Sequence, residues 1–234
     1  MKSVLVTGLV LVLFMLAGKG YSQAVNDAKV GGWYMYFWNA TFKEGPFGMQ
    51  GDIQYRNWNI MGDLEQLMLR AGFTYAPAKA GGVKFTLGYA YIPTGAYGES
   101  KETIAENRFY QEAMLPQKVG DRFHVLHRFR LEERFVEGQD FRTRWRYFFS
   151  FALPFNKTGL TKGAIYLSAY NEIFINGERD IGNGNTVEIF DRNRLYGAMG
   201  YSLTDKLRMQ LGYMQQTTNT WNKGQLQVSL HHTF

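Results

Sequence analysis

Apolar and polar residues alternate with a period of two along most of the chain, and helical spacing is hard to find. In 141–155, Phe141, Trp145, Tyr147, Phe149, Phe151, Leu153 and Phe155 share one side of an extended segment. Arg142, Arg144, Arg146 and Ser150 share the other. In 121–135, Phe123, Val125, Phe129, Leu131 and Phe135 oppose Arg122, His124, Arg128, Arg130, Glu132 and Arg134. In 207–216, Leu207, Met209, Leu211 and Tyr213 oppose Arg208, Gln210 and Gln216. The final run sets Leu226, Val228, Leu230 and Phe234 against Gln225, Gln227, Ser229, His231 and Thr233. The pattern predicts strands near 33–42, 47–58, 64–75, 83–93, 107–117, 121–135, 141–154, 164–175, 187–203, 207–217 and 225–234. The connections KVGDR and LTDKL carry tight-turn chemistry, and YAPAKAGGVK and FNKTGLTKGA are somewhat longer. They alternate with a longer or Gly-rich set: PTGAYGESKETIAEN, VEGQD, NGERDIGNGNT and TTNTWNKGQ.

This is the sequence signature of an all-β, antiparallel transmembrane barrel, with short turns at one end and longer loops at the other. Each apolar face covers roughly the 9–11 residues that a tilted membrane strand needs. A soluble lipocalin-like barrel turns the same alternation inside out, so alternation alone does not choose between them. Three features favour the membrane barrel. Aromatic residues are abundant and gather toward strand ends, as girdles require. Eleven Phe- and Tyr-rich faces exceed what a small barrel interior holds at native packing density. The chain ends in Phe234 on an alternating strand, the form of signal read by the outer-membrane barrel assembly machinery. Single-chain bacterial barrels usually have an even strand number, so about twelve strands are expected, within a range of ten to twelve. The extra one would come from residues 25–32 or from the splitting of a long run.

The first residues, MKSVLVTGLVLVLFMLAGKGYSQA, combine a Lys, an apolar run from Val4 to Leu16 and small residues at Ser22 and Ala24. They read as a secretory signal peptide over 1–24, leaving 25–234 as one outer-membrane barrel domain. The apolar run falls short of the roughly 20 residues of a spanning helix. There is no cysteine, so no disulfide, thiolate metal site or lipobox is expected. The net charge of +6 does not indicate nucleic acid. Lys43, Lys79, Lys118, Lys157, Lys162 and Lys206 sit at turns while nearly all arginines sit inside strand-like runs, whereas a nucleic-acid surface mixes the two.

The segments QYRNWN, DLEQLMLRAGFTYA, LGYAYIPT, ENRFYQEAML, HRFRLEERF, YLSAYNEIFIN, FDRNRLYGAMGY and LQVSLHHTF together resemble the family catalogued as domain of unknown function 2490. The similarity spans nearly the whole chain after residue 24. The resemblance implies an outer-membrane β-barrel of a Gram-negative bacterium and supplies no activity or catalytic residues.

With the apolar faces outward, the lumen receives Arg56, Arg70, Arg108, Arg122, Arg128, Arg130, Arg134, Arg142, Arg144, Arg146, Arg192, Arg194 and Arg208. Asp52, Glu112, Glu132 and Glu172 are expected on the same side. Arginine suits this placement because its guanidinium forks onto carboxylates, while lysine works as a hydrated point charge. The arginines outnumber these carboxylates, and an unpaired buried charge is costly. The surplus requires a wet lumen, a bound anion, or acidic loops reaching in with Glu99, Glu102 and Glu106. Two roles follow: a structural or partner-binding barrel filled by an Arg–Glu network, or a small anion-favouring pore.

An outer-membrane lipid hydrolase is the third class. Ser229 and His231 share a face, but at the end opposite the longer loops, so no enzyme is expected. His231 and His232 are adjacent and point to opposite sides, so no metal or other cofactor is expected either. Expected partners are outer-membrane lipid and the assembly machinery, with an anionic solute or a protein as a further candidate. Strict alternation also points His127, Asn171 and Asn193 outward among apolar residues. A β-bulge that re-aims them, or a protein partner over that wall, would account for this.

Overall fold

In the computed structural model, residues 29–43, 45–98 and 101–234 are described. The expected signal peptide lies outside them. Eleven strands form one closed barrel, each hydrogen-bonded to its neighbours in chain order. They are β1 (Gly31–Thr41), β2 (Phe47–Asn57), β3 (Leu64–Tyr75), β4 (Lys84–Gly95), β5 (Thr103–Val119) and β6 (Phe123–Val136). β7 (Arg142–Pro154), β8 (Ile165–Asn176), β9 (Phe190–Ser202), β10 (Leu207–Thr217) and β11 (Asn222–Thr233) complete the wall. No helix occurs among the described residues.

Among the described residues, the expectation of about twelve strands is corrected to eleven; of the segment 25–32, residues 25–28 lie outside them. Gly31 and Gly32 join β1 rather than forming a separate strand, and the long runs at 121–135 and 187–203 each remain one strand. The odd count has a geometric consequence. Each consecutive pair is antiparallel, so the first and last strands point the same way and close the barrel in parallel, from Gly31↔Gln225 to Asn39↔Thr233. Side chains fasten this seam toward both ends. Lys223 Nζ donates to Lys29 O at 2.5 Å, Tyr36 Oη lies 2.9 Å from His232 Nδ1, and Asn39 Nδ2 donates to Thr233 Oγ1 at 3.0 Å.

The rim carrying connections 58–63, 96–102, 137–141, 177–189 and 218–221 is termed upper; the other carries 42–46, 76–83, 120–122, 155–164 and 203–206. The contrast in connection length is smaller than the sequence pattern implies, because strands absorb part of what reads as loop. β4 runs on to Gly95, β5 starts at Thr103 and β11 at Asn222.

Apolar side chains point out all around the wall, with Leu87 67% exposed, Trp145 57% and Leu211 53%. The buried apolar groups form only small clusters, one of Trp33, Tyr196, Ala198 and Met214 and another of Met68, Ala90 and Ile92. A water-soluble domain of this length would gather its large apolar side chains into one contiguous core. Here the interior is mainly polar. Aromatic pairs stand near both rims: Phe135 against Phe141 and Phe109 at the upper, Phe47 against Phe73 and Tyr75 at the lower.

Inward glycines make room for rings on the adjacent strand. A Cβ at Gly88 would strike the Tyr110 ring, and one at Gly200 the Tyr166 ring; both are direct cross-strand pairs. Gly88→Val is therefore expected to lower stability by about 1–3 kcal/mol, the usual cost of overpacking. Urea unfolding followed by tryptophan fluorescence would measure it, and Tyr110→Ala in the same chain should restore part of the loss.

Candidate functional site

The interior of β5 to β9 holds a connected network of guanidinium and carboxylate groups. Its centre is Glu132 on β6, which is 0% exposed. Arg144 reaches its Oε2 with Nε at 2.9 Å and Nη2 at 2.6 Å. Arg146 Nη1 donates to Oε1 at 2.5 Å, Arg108 Nη1 does so at 3.2 Å, and Arg130 Nη1 lies 3.8 Å away. Period-two alternation delivers these groups, since Glu132↔Arg144 and Arg130↔Arg146 are direct cross-strand pairs on one face.

Two further carboxylates close a ring of alternating charge. Arg146 and Arg128 donate to Glu172 Oε1 at 2.5 and 2.6 Å. Arg128 Nε stands 3.6 Å from Glu112, and Arg130 binds Glu112 through Nε at 2.7 Å and through Nη2. Glu112–Arg130–Glu132–Arg146–Glu172–Arg128 thus returns on itself. Toward the upper rim Glu106 accepts from Arg134 at 2.6 and 3.0 Å and pairs with Arg108 at 2.7 Å. Asp52 and Arg70 make a separate pair at 2.7 Å between β2 and β3.

Rings support the cations. The Arg130 guanidinium lies 4.5 Å from the Tyr110 ring, and those of Arg146 and Arg194 lie 4.4 and 4.7 Å from the Phe174 ring. Trp33 on β1 carries Arg56 at 3.9 Å and Arg194 at 4.8 Å, while its Nε1 donates to Glu65 at 2.9 Å. Nearer the lower rim the filling turns aromatic, with Phe148 against Tyr170 at 5.0 Å and Tyr170 stacked on Tyr196 at 4.6 Å.

The predicted lumen residues Arg128, Arg130, Arg134, Arg142, Arg144, Arg146, Arg192, Arg194, Glu112, Glu132 and Glu172 all point inward, and all but Arg142 enter this network. Arg122 does not belong to the lumen; it lies exposed in the turn 120–122 and donates to Phe155 O at 3.4 Å. Arg208 is half-buried near the lower rim.

Sequence reasoning missed two inward carboxylates, Glu65 and Asp191, and expected a third, Glu106, to reach in from a loop. Glu106 looks like a loop acid but lies within β5. Glu65 and Asp191 fall on the outward parity of their strands, and each sits at a break in register. Arg56 pairs Gln66 while Asn57 pairs Leu64, so Glu65 is the extra residue of β3; Phe174 pairs Arg192 while Ile175 pairs Phe190, so Asp191 is the extra residue of β9. A bulge turns each acid inward, where Asp191 accepts from Arg144 at 2.7 Å and from Arg192 at 3.1 and 3.2 Å. Lys223, inside β11 and buried, departs from the placement of lysines at turns.

The bulge expected at His127, Asn171 and Asn193 is not there. Register runs unbroken through His127↔Phe149, Asn171↔Leu195 and Ile173↔Asn193. The three remain outward and satisfy one another or their neighbours. His127 Nδ1 meets Tyr147 Oη at 2.8 Å, and the two asparagine side chains exchange hydrogen bonds of 3.0 and 3.1 Å. Cross-strand pairing rather than bulging resolves the polarity.

Ser229 Oγ lies 3.0 Å from His231 Nε2, as their shared face suggests, but Ser229 is 2% exposed and the imidazole stacks on Phe37 at 4.9 Å. Among the described residues, no group of three or more His, Cys, Asp or Glu is placed to hold a metal ion.

Comparison with known proteins adds kinship. An uncharacterized protein of Methylorubrum extorquens is 29% identical over 188 residues, covering 76% of this chain and 77% of that protein. No solved structure matches the chain. Residues 30–227 match the family described as protein of unknown function (DUF2490). The chain therefore belongs to the DUF2490 family, and within it adopts a closed eleven-stranded barrel with an arginine–carboxylate interior.

Proposed function

We propose that this chain is an outer-membrane β-barrel with a side-chain-filled interior, serving as a structural or partner-binding component of the wall rather than as an open conduit. One observation carries the reading: large apolar side chains are exposed on strands all around the outside, while the charged groups converge inside on Glu132. Water disfavours that outer surface, and acyl chains accept it. Outer-membrane lipid is then the immediate partner. The strand leading to Phe234 is the element on which the assembly machinery would act. The closed ring of Glu112, Glu132 and Glu172 with Arg128, Arg130 and Arg146 favours a plugged lumen over an anion-favouring pore, since most cations that would attract a passing anion are already engaged.

Reconstitution of the purified protein in planar bilayers tests this directly. The expected result is detergent-dependent solubility, insertion, and no steady conductance. A sustained anion-selective current would replace the plugged barrel by the pore, and a chain that stays monodisperse without detergent would remove the membrane from the reading altogether.

A further inference from the structure

Near the upper rim the balance of charge inside the barrel fails in a row of three arginines. Arg108, Arg134 and Arg142 stand side by side on β5, β6 and β7 as successive cross-strand pairs, Arg108↔Arg134 and Arg134↔Arg142. Like charges directly opposite one another repel. Glu106 answers two of them, accepting from Arg108 and Arg134. Asp191 is occupied by Arg144 and Arg192. Arg142 is left over. It is 7% exposed, makes no ion pair among the described residues, and its buried Nε has no hydrogen-bond partner.

Two other acids at this rim are turned to other tasks. Glu178 is held by the Thr143 backbone N–H at 2.5 Å and by Thr143 Oγ1 at 3.0 Å. The Asp140 carboxylate packs against Gly182, and the Asp140 N–H donates to Ile181 O at 2.9 Å. These contacts fold the 177–189 connection against the start of β7, so Arg142 is fixed in place without being neutralised. A buried guanidinium set beside a second one, with no carboxylate of its own among the described residues, needs an anion that those residues do not supply.

We propose that the upper mouth of the barrel is a binding site for a phosphate group, with Arg142 as the residue that holds it. A guanidinium presents parallel N–H donors matched to a phosphate edge, a geometry that an ammonium group lacks. The flanking Arg134 adds positive potential, and Arg192, a quarter exposed on β9, adds a further cation at the same rim. The inference goes beyond the plugged-barrel reading and rests on the interior geometry alone. Phosphate binding and conductance can therefore fail independently.

The test uses the full chain in maltoside micelles, which carry no phosphate of their own, with inorganic phosphate titrated calorimetrically at constant ionic strength. Saturable binding is expected, and Arg142→Gln should weaken it about tenfold or more, the factor that corresponds to losing one charge-assisted hydrogen bond. Without phosphate the same variant should unfold at the wild-type midpoint or above it, because a repulsion has been removed. Repeating the titration with dioctanoyl phosphatidic acid identifies the source. Tighter binding than inorganic phosphate assigns the site to a lipid headgroup, and parity assigns it to a dissolved oxyanion; either supports the site. Absence of saturable binding to both ligands, undiminished binding by Arg142→Gln, or a variant that unfolds earlier than wild type in phosphate-free buffer would overturn it.

Discussion

Glu132→Gln lowers the unfolding free energy of the folded barrel by about 3–5 kcal/mol, the range for breaking a buried ion pair from one side. The substitution keeps the shape of the side chain and removes only its charge, at a position 0% exposed where Arg108, Arg130, Arg144 and Arg146 converge. Each arginine retains a second carboxylate, respectively Glu106, Glu112, Asp191 and Glu172. The loss therefore comes from four guanidiniums facing one another without a central anion. Removing one of them as well should return part of it, so Glu132→Gln with Arg146→Gln should be less destabilised than the sum of the single changes. Urea titrations of the three variants give the coupling energy. A loss below about 1 kcal/mol would mean that water screens the ring, since only exposed pairs are worth so little.

The second large effect lies on the opposite side of the wall. Leu211 sits midway along β10, between Met199 on β9 and Val228 on β11, and is 53% exposed. In lipid vesicles Leu211→Arg should cost about 2–4 kcal/mol, the penalty for a cation on the outer face of a barrel at the bilayer midplane. If the outer wall instead faced water, the same change would fall within about 0.5 kcal/mol of neutral, as surface substitutions do. Equilibrium unfolding from vesicles, compared with a substitution near a rim such as Phe135→Arg, separates the two, because the membrane penalty shrinks toward the interfaces.

Much of this arrangement was legible from alternation alone. Once the face of Arg142, Arg144 and Arg146 is assigned to the interior, the parity of Arg128, Arg130, Glu132 and Arg134 on the next strand follows, and the ring around Glu132 with it. Alternation is blind wherever a strand gains a residue. Glu65 and Asp191 sit at such points, and with them the strict rule sends two acids to the wrong side and overstates the cationic surplus. Glu106 was expected inside but on a loop: it lies in a polar stretch that reads as loop until the pairing of β5 with β4 and β6 extends it as strand. The rings under the cations, Trp33, Tyr110 and Phe174, carry no local signal at all. An aromatic residue at an inward position looks like any other until the strand across the lumen is known.

The parallel closure bears on how the molecule is made. Gly31 and Gln225 become neighbours only after every intervening hairpin exists, so this junction carries the largest loop-closure entropy in the molecule and is the last to zip up. Its pairing is also of the slightly weaker kind per residue. A sheet with every hairpin formed but this junction unpaired would be an open ribbon with two bare edges, each a template for pairing with another chain. Those edges stay open to such pairing until the clasp of Tyr36 with His232 and of Asn39 with Thr233 closes them.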